Sequence, residues 1–188
     1  LAATLLIAFS AIAQDNQKLE QEADKIHRKI LTIDTHNDTA LRINNPNSKP
    51  GGANPQVSFQ KMKEGGLDAA FFAIYVAQGN RDSAGLAQAT AFADDQLCKF
   101  KSYTENYKGA AIAYNSKDLL SNKREGTISV VLAIENGYVF QKNISLVKHF
   151  ADMGVVAVTL CHNKNNDICD ASMDTAPEHH GLSPFGVE

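Results

Sequence analysis

Strand and helix segments alternate along this chain, and that alternation constrains its fold more than any other feature of the sequence. Apolar runs of strand length begin near residues 30, 67, 109, 127 and 155, and stretches with the three- and four-residue apolar spacing of helices lie between them. Such an order predicts a parallel sheet with helices packed outside it. The run LDAAFFAIYV, residues 67–76, is apolar almost throughout, which indicates a strand buried on both faces.

Glycine and proline mark the bounds of these elements. Gly65 and Gly66 follow a short helical segment and predict its C-terminal cap. The segment INNPNSKPGGANP, residues 43–55, predicts an irregular loop. The predicted strands cover residues 30–35, 67–76, 109–114, 127–137 and 155–163, and the predicted helices cover residues 15–29, 58–64, 83–107, 116–123 and 144–153.

Length and composition limit the class of protein. The chain has 188 residues, enough for one domain with a substantial core. Its 44% apolar and 21% charged content is that of a globular protein and excludes disordered and fibrous classes. The net charge is −3 and no basic block occurs along the chain, so nucleic acid is excluded as a partner.

The N-terminal segment LAATLLIAFSAIA, residues 1–13, resembles the apolar part of a secretory signal. Ala11 and Ala13 form a small-x-small cleavage pattern, so we predict a signal-peptide remnant over residues 1–13 and a mature domain over residues 14–188. The alternative is a membrane anchor, but a spanning helix needs about 20 apolar residues. The sequence therefore predicts export to the periplasm or secretion, with no stable membrane span. Because no Met and no basic stretch precede Leu1, we expect the chain to be clipped there.

Two interpretations of the cysteines stay open. The three cysteines are odd in number and form no CxxC pair. Export permits disulfides, and one bridge between Cys161 and Cys169 is compatible with that setting. Alternatively, Cys98 and Cys161 are small buried hydrophobes, since one lies in a helical pattern and the other at the end of an apolar strand.

Three of the predicted strands end in residues that could bind a metal ion or take part in catalysis. His36 and Asp38 follow the first strand, Glu135 ends the strand TISVVLAIE, and His162 ends the last one. Alternate residues on an extended strand point to the same side, so His36 and Asp38 could reach one ion together. In parallel α/β folds, ligands bind at the C-terminal ends of the strands, and we expect these residues to converge there.

Each of these residues also has a simpler explanation when it is taken alone. A single HxD pattern is common by chance. Glu135 could form an ion pair with a Lys or Arg, and His162 could be a loop or helix-cap histidine. Together, however, one imidazole and two carboxylates form a nitrogen and oxygen ligand set suited to zinc or a similar divalent metal.

The other histidines are predicted to lie outside the ligand set. His179 and His180 fall in the segment APEHHGLSPFG, whose Pro and Gly residues indicate an irregular surface, and we interpret them as solvated or adjacent to substrate. His27 and His149 fall in helical patterns and are interpreted as surface residues.

Five blocks of the sequence resemble successive blocks of the membrane dipeptidase family, also called the renal dipeptidase family, in its bacterial branch. They are IDTHNDT, SFQKMKEGGLDAAFFAIYV, AIENGY, GVVAVTLCHNKNNDICDAS and HHGLSPFG, and they occur in family order from about residue 30 onward. The resemblance implies a (β/α)8 barrel of the metal-dependent hydrolase kind that binds two zinc ions. By the same match, His36 and Asp38 would bind one metal, Glu135 would bridge both, and His162 would be the catalytic residue that holds the scissile carbonyl oxygen.

Family members usually carry further histidine ligands and a catalytic aspartate on later strands, which do not occur before Glu188. We therefore expect a partial barrel with about five of eight strands, the N-terminal part of a metallo-dipeptidase domain, inactive on its own. Many relatives carry Trp or another aromatic residue in the second-strand block, where this chain has Phe71, Phe72 and Tyr75 and no Trp.

The resemblance implies zinc-dependent hydrolysis of the peptide bond of dipeptides through a metal-bridging hydroxide in the full-length protein. The expected partner is a small dipeptide, and a homodimer is considered as an assembly. Two rival functions remain open: another metal-dependent amidohydrolase on the same barrel, acting on a cyclic amide, lactone or amino sugar, and a secreted binding protein without catalysis.

Overall fold

The computed structural model describes the backbone of residues 2–43 and 56–188, and the side chains of residues 16–42 and 56–188. The chain forms two compact units, Leu1–Thr32 and Ile33–Glu188. The first unit consists of one helix, α1, Ala2–Lys29. Within the described residues, no helix is long and apolar enough to cross a membrane. Most of the predicted 43–55 loop, residues 44–55, lies outside the described residues, as do the side chains of the predicted signal segment.

The second unit contains the five predicted strands and the four predicted helices that follow the first strand, which confirms the alternating α/β order. The strands are β1 Ile33–Asn37, β2 Ala69–Tyr75, β3 Ala110–Ile112, β4 Ile128–Glu135 and β5 Val155–Thr159. The helices are α2 Thr39–Ile43, α3 Phe59–Gly65, α4 Ser83–Glu105, α5 Ser116–Glu125, α6 Ser145–Asp152 and α7 Pro184–Val187, with a 3-10 helix at Gly137–Phe140.

All pairings in the sheet are parallel, and β4 is its central strand. One edge of β4 pairs with β2 over its whole length, from Ala69 opposite Ser129 to Tyr75 opposite Glu135. Both β3 and β5 pair with β4 as well, β3 near its start and β5 near its end, so these two strands share the other edge. The sheet is an open part of a (β/α)8 barrel.

Strand β3 does not take the place between β2 and β4 that its position in the chain would give it. The continuous arc is β1-β2-β4-β5, and β3 flanks only the first residues of β4. With three residues, β3 is too short to separate its longer neighbours. As a result β2 and β4 are in direct contact, and their C-terminal ends lie side by side.

Local sequence signals set the ends of the helices, and of the caps described here the glycine C-cap was predicted. Ser58 caps α3 by accepting a hydrogen bond from the backbone N–H of Lys61. Gly66 ends that helix in a left-handed conformation, with φ 71°, which glycine adopts without a steric penalty. Asp82 caps α4 in the same way, through the backbone N–H of Gly85.

The core lies between the sheet and the helices that cover it. Every residue of β4 is buried. Phe72 of β2 contacts Phe59 of α3 edge-on, with ring centroids 5.7 Å apart, and contacts Phe100 of α4 at 5.0 Å. These aromatic contacts fix α3 and α4 against the sheet, because each ring is almost completely removed from water.

The first strand differs from its predicted range of residues 30–35. The strand begins at Ile33 rather than Ile30, and these two side chains are 39% and 50% exposed, while Leu31 is half-buried. Among the described strands β1 pairs with β2 alone.

The interpretation of Cys98 as a buried residue is also wrong. Cys98 is exposed, whereas its neighbour Leu97 on α4 is completely buried. Successive residues of a helix point about 100° apart. Leu97 and Phe100 are three residues apart and share the buried face of α4, so Cys98, between them, points toward solvent.

Charged groups fasten the loop after β5, residues 160–183, to the loop after β2. Arg81 donates from Nε to Asp167 Oδ1 at 3.1 Å and from Nη1 to Glu178 Oε1 at 2.8 Å. Lys142 Nζ lies 3.1 Å from the same Asp167 oxygen, and the Asp167 side chain is only 7% exposed. The positive charges of Arg81 and Lys142 compensate the Asp167 carboxylate for the water that it loses on burial. The cluster thereby holds the loop that contains His162.

The environment of Asp167 favours its ionised form. Burial raises the pKa of this carboxyl group, but the hydrogen bonds and positive charges of Arg81 and Lys142 outweigh burial and leave the pKa below its ordinary value. Asp170, in the same loop, likewise has a lowered pKa, because backbone N–H groups donate to its carboxylate and outweigh its desolvation.

Replacing Asp167 by Asn in the full-length protein should lower the free energy of unfolding near pH 7 by about 1–3 kcal/mol, because Arg81 and Lys142 lose a charged partner. A lowered pKa means that the carboxylate stabilises the fold above about pH 4 and that this contribution is lost as pH falls through the folded-state pKa. The difference between the two proteins should therefore shrink on acidification.

Urea unfolding at several pH values measures this difference. The control is Asp95→Asn, which removes an exposed ion pair with Lys99 and should change stability by less than about 1 kcal/mol. A difference between the wild type and Asp167→Asn that is independent of pH would contradict the assignment.

Candidate metal centre

The end of β1 presents His36 and Asp38 on one side of the chain. Asn37, between them, is buried, and its Nδ2 donates to the backbone oxygen of Phe71 at 3.1 Å. Its Oδ1 accepts from the backbone N–H of Thr39 at 3.2 Å. Because Asn37 is held on the inner side, the two flanking side chains are left together on the other side, as the alternation of a strand predicts.

Glu135 is the last residue of β4 and lies between two imidazoles. Its Oε2 is 3.3 Å from His36 Nε2, and its Oε1 is 3.1 Å from His162 Nε2. The Glu135 side chain is only 12% exposed, whereas the His36 and His162 side chains are 48% and 40% exposed. The site is therefore a nearly buried carboxylate at the base of a more open cluster.

His36, Asp38 and Glu135 can supply three ligand atoms that lie within 4.8 Å of one another. His36 Nε2 is 3.6 Å from Asp38 Oδ1, which places Asp38 beside the pair formed by His36 and Glu135. One imidazole nitrogen and two carboxylates suit a divalent metal of the zinc type. In the described part of the chain, the ion-pair partners of Glu135 are histidines and include no Lys or Arg. A buried carboxylate without a permanent cation fits a bound metal ion.

His162 lies beyond the end of β5, on the opposite side of Glu135 from His36. The ring of Tyr75 packs edge-on against the His162 ring, with centroids 4.9 Å apart and planes at 67°. Tyr75 is also the β2 residue paired with Glu135 in the sheet. The imidazole of this loop residue is thus held between an aromatic ring and a carboxylate.

The three aromatic residues of the second strand have different positions. Phe72 is completely buried in the core and Phe71 is half-buried. Tyr75 lies at the site and also lines an adjacent cleft of about 720 Å³ that includes Tyr138 and Phe92. Of the three, Tyr75 is therefore the one that lies at both the candidate site and the cleft.

His149 and His179 are not part of the group with metal-binding geometry. His179 is more enclosed than predicted: its side chain is 19% exposed, and its Nε2 lies 2.9 Å from the backbone oxygen of Asn166. His149 is a surface residue as predicted, 2.7 Å from Asp94. Among the described residues, the single group with metal-binding geometry is the one at Glu135.

The two cysteines of the β5 loop are free thiols and neighbours. Cys161 Sγ donates to the backbone oxygen of Asp170 at 3.4 Å. Burial, together with the adjacent Cys161 thiol, raises the pKa of Cys169 to about 12. Cys169 is not part of the group with metal-binding geometry, which consists of His36, Asp38 and Glu135 among the described residues.

Two residues beside the site were not singled out from the sequence. Asn136 follows Glu135 directly, and Asn166 lies in the loop that follows His162; both are almost completely buried. An amide directly after an apolar strand such as VVLAIE, and a second in the polar segment NKNND, are signals that could have found them, because a buried amide needs hydrogen-bond partners.

Comparison with known proteins identifies the family. The sequence profile described as Membrane dipeptidase (Peptidase family M19) matches residues 20–188. Dipeptidase tcpJ of Claviceps purpurea is 28% identical over 135 residues, covering 69% of this chain and 32% of its own length. An uncharacterised dipeptidase of Schizosaccharomyces pombe is 26% identical over 186 residues, covering 89% of this chain and 44% of its own length.

Solved structures show the same fold. The probable dipeptidase PvdM of Pseudomonas aeruginosa superposes with a TM-score of 0.77 at 22% identity, covering 90% of this chain and 46% of that one. A metallo peptidase from Rhodobacter sphaeroides, liganded with a phosphinate mimic of the dipeptide L-Ala-D-Ala, has a TM-score of 0.69 at 19% identity, covering 84% and 54%. The chain spans between a third and a half of the curated relatives it matches. Because the family profile covers nearly the whole chain, the protein belongs to the membrane dipeptidase family.

Proposed function

We propose that the full-length protein is a zinc-dependent dipeptidase and that His36, Asp38 and Glu135 are metal ligands. The observation that carries the proposal is the nearly buried Glu135 carboxylate, which directs one oxygen toward His36 and the other toward His162. Family membership supports peptide-bond hydrolysis. The dipeptide mimic bound to the Rhodobacter sphaeroides relative supports a dipeptide substrate.

Each residue has a distinct role in this proposal. His36 and Asp38 would hold one ion, and Glu135 would share its carboxylate between that ion and a second. Two zinc ions, when bound, would supply Lewis-acid polarisation of the substrate carbonyl and a hydroxide near neutral pH. Because Glu135 is held rigidly at the end of a buried strand, its two oxygens are fixed before any ligand binds.

His162 is the proposed catalytic residue on the substrate side. Its Nε2 faces the site, so an N–H at that atom can donate to the carbonyl oxygen as negative charge develops there. The edge contact with Tyr75 restrains the ring, which reduces the reorganisation needed when substrate binds. The half-exposed position of His162 leaves room for a small substrate.

Replacing Glu135 by Gln should lower dipeptide turnover by about three orders of magnitude and weaken zinc binding, because the neutral amide cannot share charge between two ions. Release of free amino acids from a panel of L,L and L,D dipeptides measures turnover, and zinc content after dialysis measures binding. The matched control is Glu125→Gln, since Glu125 is exposed at the end of α5, ahead of the start of β4.

Three results would contradict the proposal. Full activity of the Glu135→Gln protein would remove Glu135 from the reaction. Hydrolysis of cyclic amides or lactones without hydrolysis of dipeptides would favour the rival amidohydrolase. Zinc binding by the wild type without turnover of any of these substrates would favour a binding protein.

We also propose that the protein is exported and that its mature chain begins at Gln14, after the small-x-small pattern of Ala11 and Ala13. N-terminal sequencing of the protein recovered outside the cytoplasm should give QDNQKLEQE as its first residues. A recovered protein that retains LLIAFSAIA would favour an anchor instead.

A further inference from the structure

We propose that Asn136 is a positioning residue for Glu135 and His162, and that it acts through a buried hydrogen bond to Asn166. The role in catalysis rests on the function proposed above. Asn136 and Asn166, called here the amide pair, are 1% and 0% exposed. The Asn166 Nδ2 donates to Asn136 Oδ1 at 3.1 Å, which joins the segment after Glu135 to the loop after His162.

The amide of Asn136 uses its full hydrogen-bonding capacity. Its Nδ2 donates to the backbone oxygen of Val76 at 3.0 Å and to Gln78 Oε1 at 3.1 Å. Its Oδ1 accepts from Asn166 and from the backbone N–H of Tyr138, the latter at 3.2 Å. The Val76 contact joins the end of β4 to the chain that leaves β2, directly beyond Tyr75.

The amide of Asn166 is satisfied to the same extent. Its Nδ2 also donates to the backbone oxygen of Leu160 at 2.8 Å, just before His162. Its Oδ1 accepts from the backbone N–H groups of Ile168 and Cys169, at 2.9 and 3.2 Å. Together the amide pair therefore contacts the C-terminal ends of β2, β4 and β5.

The backbone at this point indicates that the arrangement is specific. Asn136 has φ 83° and ψ 102°, a conformation that costs about 1–3 kcal/mol for a residue other than glycine. Gly137, next in the chain, approaches β5 so closely that a Cβ would lie 2.9 Å from the Leu160 oxygen. The strained turn brings the ends of β4 and β5 together, and four hydrogen bonds of the Asn136 side chain hold it.

This geometry links the amide pair to the spacing of the site. The Glu135 backbone oxygen accepts from the Val76 N–H at 3.0 Å, and the Gly137 N–H donates to Leu160 at 3.2 Å. Glu135 is thus fixed on both sides by neighbours that Asn136 and Asn166 also hold. The 3.1 Å separation between Glu135 Oε1 and His162 Nε2 depends on these contacts. Removing a residue that orients a metal ligand through hydrogen bonds typically lowers metal affinity or activity by about 10- to 100-fold.

The test uses Asn136→Gly in the full-length protein. Glycine adopts a positive φ readily, so the variant removes the amide without adding steric strain at this position. We expect zinc affinity, measured by competition with a chelator, to fall by about 10- to 100-fold. We expect kcat to fall by a similar factor while KM for a dipeptide changes little, because the substrate contacts are retained. A crystal structure should show a longer separation between Glu135 and His162.

The matched control is Asn122→Ala, which removes an amide hydrogen bond to Ser129 Oγ at the start of β4, far along the strand from the site. It should lower thermal stability while zinc affinity, kcat and the separation between Glu135 and His162 stay unchanged. If Asn136→Gly acted only by lowering stability, it would behave like Asn122→Ala: zinc affinity, kcat and the separation between Glu135 and His162 would stay unchanged.

The outcomes separate the two proposals. If Asn136→Gly keeps wild-type zinc affinity, kcat and site spacing, the positioning role is overturned and the proposed function stands. If the wild type binds no zinc and cleaves no dipeptide, the proposed function fails. In that case the crystal structures of the two variants still test the positioning role. An unchanged separation between Glu135 and His162 in Asn136→Gly overturns that role. A longer separation in Asn136→Gly, but not in Asn122→Ala, supports it.

Discussion

The carboxylate of Glu135 sits at the end of a completely buried strand, and the arrangement of the site depends on it. A charged group in such a place is costly unless an opposite charge or hydrogen bonds compensate it. Here the two oxygens face two imidazoles, one supplied through β1 and one through β5. Because β2 and β5 lie on opposite edges of β4, the flanking strands bring these groups to either side of the carboxylate.

Much of this arrangement could be predicted from the sequence, since it follows from periodicity. The apolar runs and their capping residues predicted the strands and helices, and the rule that parallel strands end on the same side predicted that His36, Glu135 and His162 would meet. Gly66 was predicted as a helix cap from its position after a helical segment, and the structure confirms it. These features depend on local patterns that a single sequence displays.

Other features depend on pairing between distant segments, which periodicity does not encode. The position of β3 beside the start of β4 depends on its pairing with residues 128–130. Ile33 is exposed in β1, which pairs with one strand among those described. The hydrogen bond between Asn136 and Asn166 joins two loops far apart in sequence, so neither residue revealed its role alone.

The loops after β2, β4 and β5 form a layer of polar contacts over the C-terminal end of the sheet. The cluster at Asp167 fastens this layer at its periphery, and the amide pair fastens it next to the site. The first uses charges and therefore responds to pH, whereas the second uses neutral amides and does not. The loop that contains His162 is thus held by two sets of contacts, made by the consecutive residues Asn166 and Asp167.

Anomalous X-ray scattering from crystals of the full-length protein grown with zinc tests the central claim most directly. Data collected on either side of the zinc absorption edge should give a peak about 2 Å from a His36 ring nitrogen and from carboxylate oxygens of Asp38 and Glu135. A peak bound elsewhere, with Glu135 still paired only to His36 and His162, would contradict the assignment of these residues as metal ligands.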